Sequence, residues 1–315
     1  MVTQDIDSDS QRRSGGSIPG ALGIPAFFLT GAEPSTIPVL ISVPHAGRAY
    51  PRAVLHDMRH PASAALRLED RYVDRIALAV ARETGATLLV ANAPRAMIDL
   101  NRAPDDVDWE MFGRSDRPDP GSYLPSRRAR SGLGLIPRRL PGMGELWRRR
   151  HEEADLASRI AGIHTPYHEA LAAAILSVRE RWGAALLIDL HSMPPLPVRP
   201  GVSTAQIVVG DRFGATCHGT LVAAAFTHFN QQGYEAAHNR PYAGGYVLER
   251  HSKPSHGMHA LQIELDRSLY LDSRLVEPGT GLPALATMLS GLVRAMAAEV
   301  STLGQCGPQW SQAAE

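Results

Sequence analysis

Short apolar runs alternate along the chain with longer segments of helical period. The runs 37-IPVLISV-43, 86-ATLLVA-91, 184-AALLIDL-190, 205-AQIVV-209 and 258-MHALQIEL-265 are short, β-branched and bounded by Gly or Pro, the pattern of buried strands. Between them, 66-LRLEDRYVDRIALAVARETG-85 places Val73, Ile76, Ala77 and Val80 on one helical face and stops at Gly85. Further helices are expected around 148–180, 215–232 and 282–300. Strands separated by helices predict an α/β fold, a mixed and mainly parallel sheet flanked by helices on both faces. Sites in such folds form beyond the carboxyl ends of the strands.

The rhythm breaks at 103–150, where Pro, Gly and Arg are frequent and periodicity is lost. This stretch is expected to be a long loop or small excursion over the sheet. Residues 1–20 and 304–315 are polar and read as tails, the first of them disordered, around a single catalytic domain at 21–303. Lys+Arg and Asp+Glu are equal at 32 each among 315 residues, so no global field draws in nucleic acid or an anionic membrane. Arg clusters at 127–130, 138–139 and 148–150 would be the basis of a nucleic-acid or acidic-partner binding module, the non-enzymatic alternative, but aromatic residues are scarce among them. Two cysteines, Cys217 and Cys306, cannot form a disulfide framework, and no signal peptide or membrane span is evident. A cytoplasmic protein is expected, as a possible homo-oligomer.

Candidate chemistry gathers at the predicted strand ends. The strand ISV runs into Pro44-His45-Ala46-Gly47, and LLIDL runs into His191-Ser192, so two histidines emerge at one edge of the sheet. With a carboxylate they would make a two-His, one-acid zinc site with an open position for water. Glu69 and Asp70, expected to begin the helix after the His45 loop, both qualify. Asp189 shares a strand face with His191 and could orient it. Each of these residues could equally be a hydrogen-bonded structural group. Glu264, in 262-QIELD-266, is a carboxylate on a buried strand, costly unless paired or working. It is either a general base or an ion-pair partner of Arg267 or Arg250. Arg95, Asp99, Asn101 and Arg102 crowd 94-PRAMIDLNR-102, where Arg forks suit an anionic substrate, although an internal salt-bridge network with Asp99 and Asp105 would explain them equally. The segment 239-NRPYAGGYVLERH-251, with Tyr242 and Tyr246, has the composition of a mobile flap or a plain turn. His164 and His168 could be a helical metal pair, but Pro166 between them favours a helix start.

Together these segments resemble the N-formylglutamate amidohydrolase family over residues 37–272. The resemblance rests on SVPHAG at 42–47, LEDRYVD at 68–74, RAMIDLNRAPDD at 95–106, TPYHEAL at 165–171, DLHS at 189–192, NRPYAGGYVLERH at 239–251 and HALQIELDRSLYLD at 259–272, in this order. It implies a phosphorylase/hydrolase-like α/β fold similar to zinc carboxypeptidases and aspartoacylase-like enzymes. It also implies one zinc ion held by His45, a carboxylate and His191. Asp70 aligns best with the family's acidic run, with Glu69 as rival. By the same resemblance Glu264 is the acid/base. The mechanism expected for such an enzyme gives Arg95 the oxyanion, and Asn101 and Arg102, with Tyr246 and Arg250, the small anionic N-acyl amino acid. A zinc carboxypeptidase or another N-acyl-amino-acid deacylase is the alternative enzyme. The Arg-rich segment 126–150 is expected to shape specificity.

Overall fold

The computed structural model describes residues 11–113, 126–198 and 204–305. In chain order, β1 (Gln11–Gly15), β2 (Phe27–Gly31) and β3 (Val39–Val43) precede α1 (Arg52–Asp57), α2 (Pro61–Leu68), α3 (Val73–Thr84) and β4 (Thr87–Ala91). The 103–150 excursion carries α4 (Arg127–Arg130) and a small hairpin of β5 (Arg139–Leu140) and β6 (Gly144–Glu145). Then come α5 (Glu153–Arg159), α6 (Thr165–Trp182), β7 (Ala185–Met193), β8 (Ile207–Gly210), α7 (Gly219–Gln231), β9 (Ala236–His238), α8 (Tyr246–His251), β10 (Met258–Asp266) and α9 (Leu282–Gln305).

Eight strands form one sheet in the order β1-β2-β4-β3-β7-β10-β8-β9. Its centre, β4-β3-β7-β10, is parallel, while β1, β2 and β8 join antiparallel. The expected mixed α/β sheet is present. Each face carries its own core, because successive residues of a strand point to opposite sides. Val39, Ile41 and Val43 of β3 with Leu186, Ile188 and Leu190 of β7 pack under α3, α7 and α9. Leu40 of β3 with Ala185 and Leu187 of β7 pack against α6, α8 and the excursion. Helix α9 has the length and apolarity of a membrane span, yet 56% of that stretch is buried within the fold, and its contacts with α3 and α7 account for its composition.

Three elements differ from expectation. Residues 11–15, within the segment read as a tail, form edge strand β1, paired from Gln11↔Gly31 to Gly15↔Phe27. Backbone bonds recruit it, with Arg12 lying over the Phe28 ring, so its polar sequence shows no alternation. The helix expected from residue 66 is broken: α2 ends at Leu68 and α3 starts at Val73 after Tyr72, which adopts φ 60°. The segment expected at 148–180 starts at 153 and passes through a π turn, Ile160–His164, into α6. Pro166 cannot donate a backbone bond there, and Gly162 O accepts from Ser17 N instead (2.8 Å). Residues 306–315, with Cys306, and residues 1–10 of the expected tails lie outside the described residues.

Candidate active site

The sheet face beneath α6 changes character along its strands. On β7 that face reads Ala185, Leu187, Asp189, His191, and on β10 Ala260, Gln262, Glu264. The parallel register sets Glu264 beside His191 and Gln262 beside Asp189. Ser42 of β3 lies beside Asp189 and donates to it (2.8 Å), with Tyr167 of α6 at 3.1 Å from the same hydroxyl. The amino halves of the strands are therefore core, and the carboxyl halves collect polar groups in one buried place.

His45 arrives from the turn after β3. Gly47 lies so close to the backbone of Asn92 and Ala93 that any Cβ there would collide with it, which fixes the turn's path. Asp70 arrives from the junction between α2 and α3, not from the first turn of a helix as expected. Tertiary bonds hold that junction out of helical form: Asp70 N donates to His45 O (2.9 Å), and Arg267 Nη2 donates to Glu69 O (2.6 Å).

His45, Asp70 and His191 converge, all buried, with their ligand atoms within 4.8 Å of one another. Asp70 Oδ2 lies 3.6 Å from His45 Nδ1 and 3.0 Å from His191 Nδ1. The outer nitrogens are each tied to a further carboxylate: His45 Nε2 lies 2.7 Å from Asp99 Oδ1, and His191 Nε2 lies 2.7 Å from Asp189 Oδ2. With Nε2 donating to Asp99, His45 presents an Nδ1 lone pair inward, and that buried atom has no hydrogen-bond partner. The arrangement fits a divalent cation: tetrahedral ligands at zinc–nitrogen and zinc–oxygen lengths sit about 3.4 Å apart, and histidine ligands habitually give their far N–H to a carboxylate.

Electrostatics point the same way. Burial alone would depress His191, but Asp189 and Asp70 hold its pKa well above the ordinary imidazole value. Burial likewise opposes ionisation of Asp70 and Asp99, yet His191 and His45 around the first, and Arg95 and His45 around the second, keep both well below the usual carboxylate range. The pocket is built to hold positive charge among its acids. Glu264 differs: burial pushes it up to about 7, since His191 and Arg95 only partly offset desolvation and the nearby Asp70. Gln262 Nε2 donates to it at 2.9 Å.

Other expected residues fall into place less uniformly. Glu69 turns away to Arg71 (3.1 Å) and Tyr50, and its buried carboxyl is raised by desolvation; among the described residues the cluster able to hold a metal contains Asp70 and not Glu69. Arg95 spends Nε and Nη2 on Asp99 Oδ2 (3.0 and 2.9 Å). Asn101, expected to grip substrate, is fully occupied: Oδ1 accepts from Val247 N (2.9 Å) and Nδ2 donates to Gln262 Oε1 (3.2 Å). Gly245 permits this, because a Cβ there would collide with the Asn101 amide. Arg102 donates to the carbonyls of Leu133 and Asn101 (both 3.1 Å). Arg250 is exposed and donates to the Tyr246 hydroxyl (3.0 Å). The segment with the composition of a flap holds helix α8, with Val247, Leu248 and His251 buried. His164 and His168 are no metal pair: they lie at 2.9 and 3.0 Å from the carbonyls of Arg102 and Leu100, and His168 also meets His251 at 2.9 Å. Burial holds His168 down at about 2 and His251 at about 3, so both are neutral. His164 and His168 brace the two carbonyls that flank Asn101.

Asp99, read from sequence either beside an anionic substrate or in a salt-bridge network with Arg95, makes that ion pair and also holds His45, a partnership the sequence did not suggest. The model of the family described as N-formylglutamate amidohydrolase matches residues 37–271. The chain belongs to the N-formylglutamate amidohydrolase family. A crystal structure of N-formylglutamate amidohydrolase from Ralstonia eutropha JMP134 is similar at a TM-score of 0.79 and 32% identity, covering 88% of this chain and 99% of that one. N-formylglutamate deformylases of Pseudomonas putida and Pseudomonas aeruginosa are 30% and 28% identical over 78% and 76% of this chain and 85% and 84% of their own. A protein of Agrobacterium tumefaciens, 17% identical, shares the fold at a TM-score of 0.63 over 87% of this chain and 96% of its own.

Proposed function

We propose that this family member is a metal-dependent amidohydrolase that releases the amino acid and formate from N-formyl-L-glutamate, or the amino acid and the corresponding carboxylic acid from a closely related N-acyl amino acid. The convergence of His45, Asp70 and His191 beside Glu264 carries the reading, in a chain whose relatives are named for that substrate. His45, Asp70 and His191 would hold a zinc ion, which when bound supplies Lewis acidity and a nucleophile at neutral pH.

The chain's own residues do the remaining work. Glu264 takes a proton from the attacking water and passes it to the leaving nitrogen, so that the C–O bond forms, the C–N bond breaks and a neutral amine departs. Arg95, with Nε and Nη2 committed to Asp99, presents its remaining edge to the oxygen that gains charge. Arg102 and Arg250 supply positive charge for the substrate carboxylates. Asn101 positions rather than grips, tying α8 to β10 beside His191.

The reading is tested by metal analysis of the purified protein and by formate release from N-formyl-L-glutamate, run against acetylated and succinylated amino acids and short peptides. Formyl-selective turnover that disappears with a chelator and returns with zinc is expected. A chelator-insensitive enzyme, or one that prefers peptides, would overturn it. Asp99 gives an independent check. Asp99→Asn removes the acceptor that fixes the His45 ring, and loss of such a partner costs about 10–100-fold in metal affinity. Zinc competition against a chromophoric chelator measures it, and unchanged affinity would remove Asp99 from the site.

A further inference from the structure

Away from the histidine cluster, the 103–150 excursion packs against the segment after α1 and leaves a cavity of about 580 Å³ that shares no residue with that cluster. Arg59, Arg138, Arg148, Arg149 and Arg150 all line it. Glu110 and Glu145 line it too, but both are committed to Arg138 at 2.9 Å, and Arg149 is tied to Asp57 at 2.6 Å. The other three arginines have no carboxylate partner among the described residues. Arg59 Nε donates to Trp147 O (2.8 Å), and Arg148 donates to the carbonyls of Met58 (3.1 Å) and Arg59 (3.4 Å). Carbonyls satisfy N–H groups but neutralise no charge, so positive charge outweighs negative in the cavity lining, five arginines against Glu110 and Glu145.

His151 supplies the second observation. Its side chain is 8% exposed and stands edge-on to Trp147 with ring centroids 4.5 Å apart. Nδ1 meets Asp155 at 3.2 Å, whereas Nε2, in a residue lining this cavity, is buried without a hydrogen-bond partner. With Nδ1–H facing the Asp155 carboxylate, Nε2 is a lone pair, and a buried acceptor left unpaired marks a place for a donor such as a hydroxyl.

We infer that this cavity binds a phosphate-bearing small molecule. Guanidinium forks match phosphate oxygens, several of them suit a multiply charged group, and the volume exceeds that of a single phosphate. Arg59, Arg148 and Arg150 provide the charge for the phosphate, and a hydroxyl elsewhere on the ligand donates to His151 Nε2. Inorganic phosphate and glycerol phosphate separate the free anion from its ester, each titrated calorimetrically into the full-length protein, with potassium chloride at matched ionic strength as control. Saturable binding of one phosphate group per chain is expected, tighter for the ester if the remaining volume is used. Arg148→Gln with Arg150→Gln should weaken it at least tenfold. Arg150→Gln alone should weaken it several-fold, and because that side chain makes no hydrogen bond or ion pair with the described residues, the fold should be unaffected. Binding that chloride reproduces, or that survives both variants, would overturn the inference.

Discussion

Glu264→Gln is expected to keep its metal and to lose turnover by about 10²–10⁴-fold, the contribution a positioned general base makes. The two consequences separate because Glu264 lies outside the ligand cluster while sitting in register with His191 on the neighbouring strand. Glutamine preserves size and can still meet Gln262, so the loss would be one of proton transfer. The pH dependence has a definite sign. A base works deprotonated, and burial raises this carboxyl to about 7, so activity should fall as pH drops through that ionisation. The acid limb of the pH profile should be missing from whatever activity the variant retains. Zinc content by mass spectrometry and formate release from one preparation check both halves. A variant that stays active places the base elsewhere.

What the sequence disclosed and what it hid follow from how local each feature is. Buried parallel strands are short apolar runs, so β3, β4, β7 and β10 are visible as such, and the two histidines and Glu264 at or near their carboxyl ends come with them. Strand β1 has no apolar face and depends on its partner's backbone, so QRRSG gives no sign of it. Helix α8 spans six residues, too few to show a period beside two glycines. The break at Glu69–Tyr72 is made by bonds from Arg267 and to His45, both distant in the chain. Asp99 is the instructive case. It lies four residues from Arg95, and their ion pair is the local reading. Its other oxygen reaches His45, 54 positions away, and only the packing of the 94–102 loop on the strand ends brings them together. Asn101 is the converse, expected from sequence to bind the substrate and found buried beside Gly245 with its amide occupied.

His191→Ala should lose both the metal and the turnover, the largest single effect expected at this site. His191 is one of two imidazoles facing Asp70, and no other neutral nitrogen ligand belongs to the cluster among the described residues. The substitution also leaves Asp70 without a positive charge that lets it ionise while buried. Breaking a buried charged pair by removing one partner costs about 3–5 kcal/mol. A lower melting temperature should therefore accompany metal loss, and Asp70→Asn, which removes a ligand atom while keeping the volume, separates ligand loss from destabilisation. The proton on His191 supplies a further check. Asp189 and Asp70 hold that proton on to higher pH than an ordinary histidine, and a cation must displace it. Zinc uptake at neutral pH should release protons, seen as a dependence of binding heat on buffer ionisation enthalpy, and zinc affinity should fall as pH falls. In His191→Ala the release attributable to that imidazole disappears. Full zinc stoichiometry in the variant, with proton release unchanged, would mean that the cation is held by other groups.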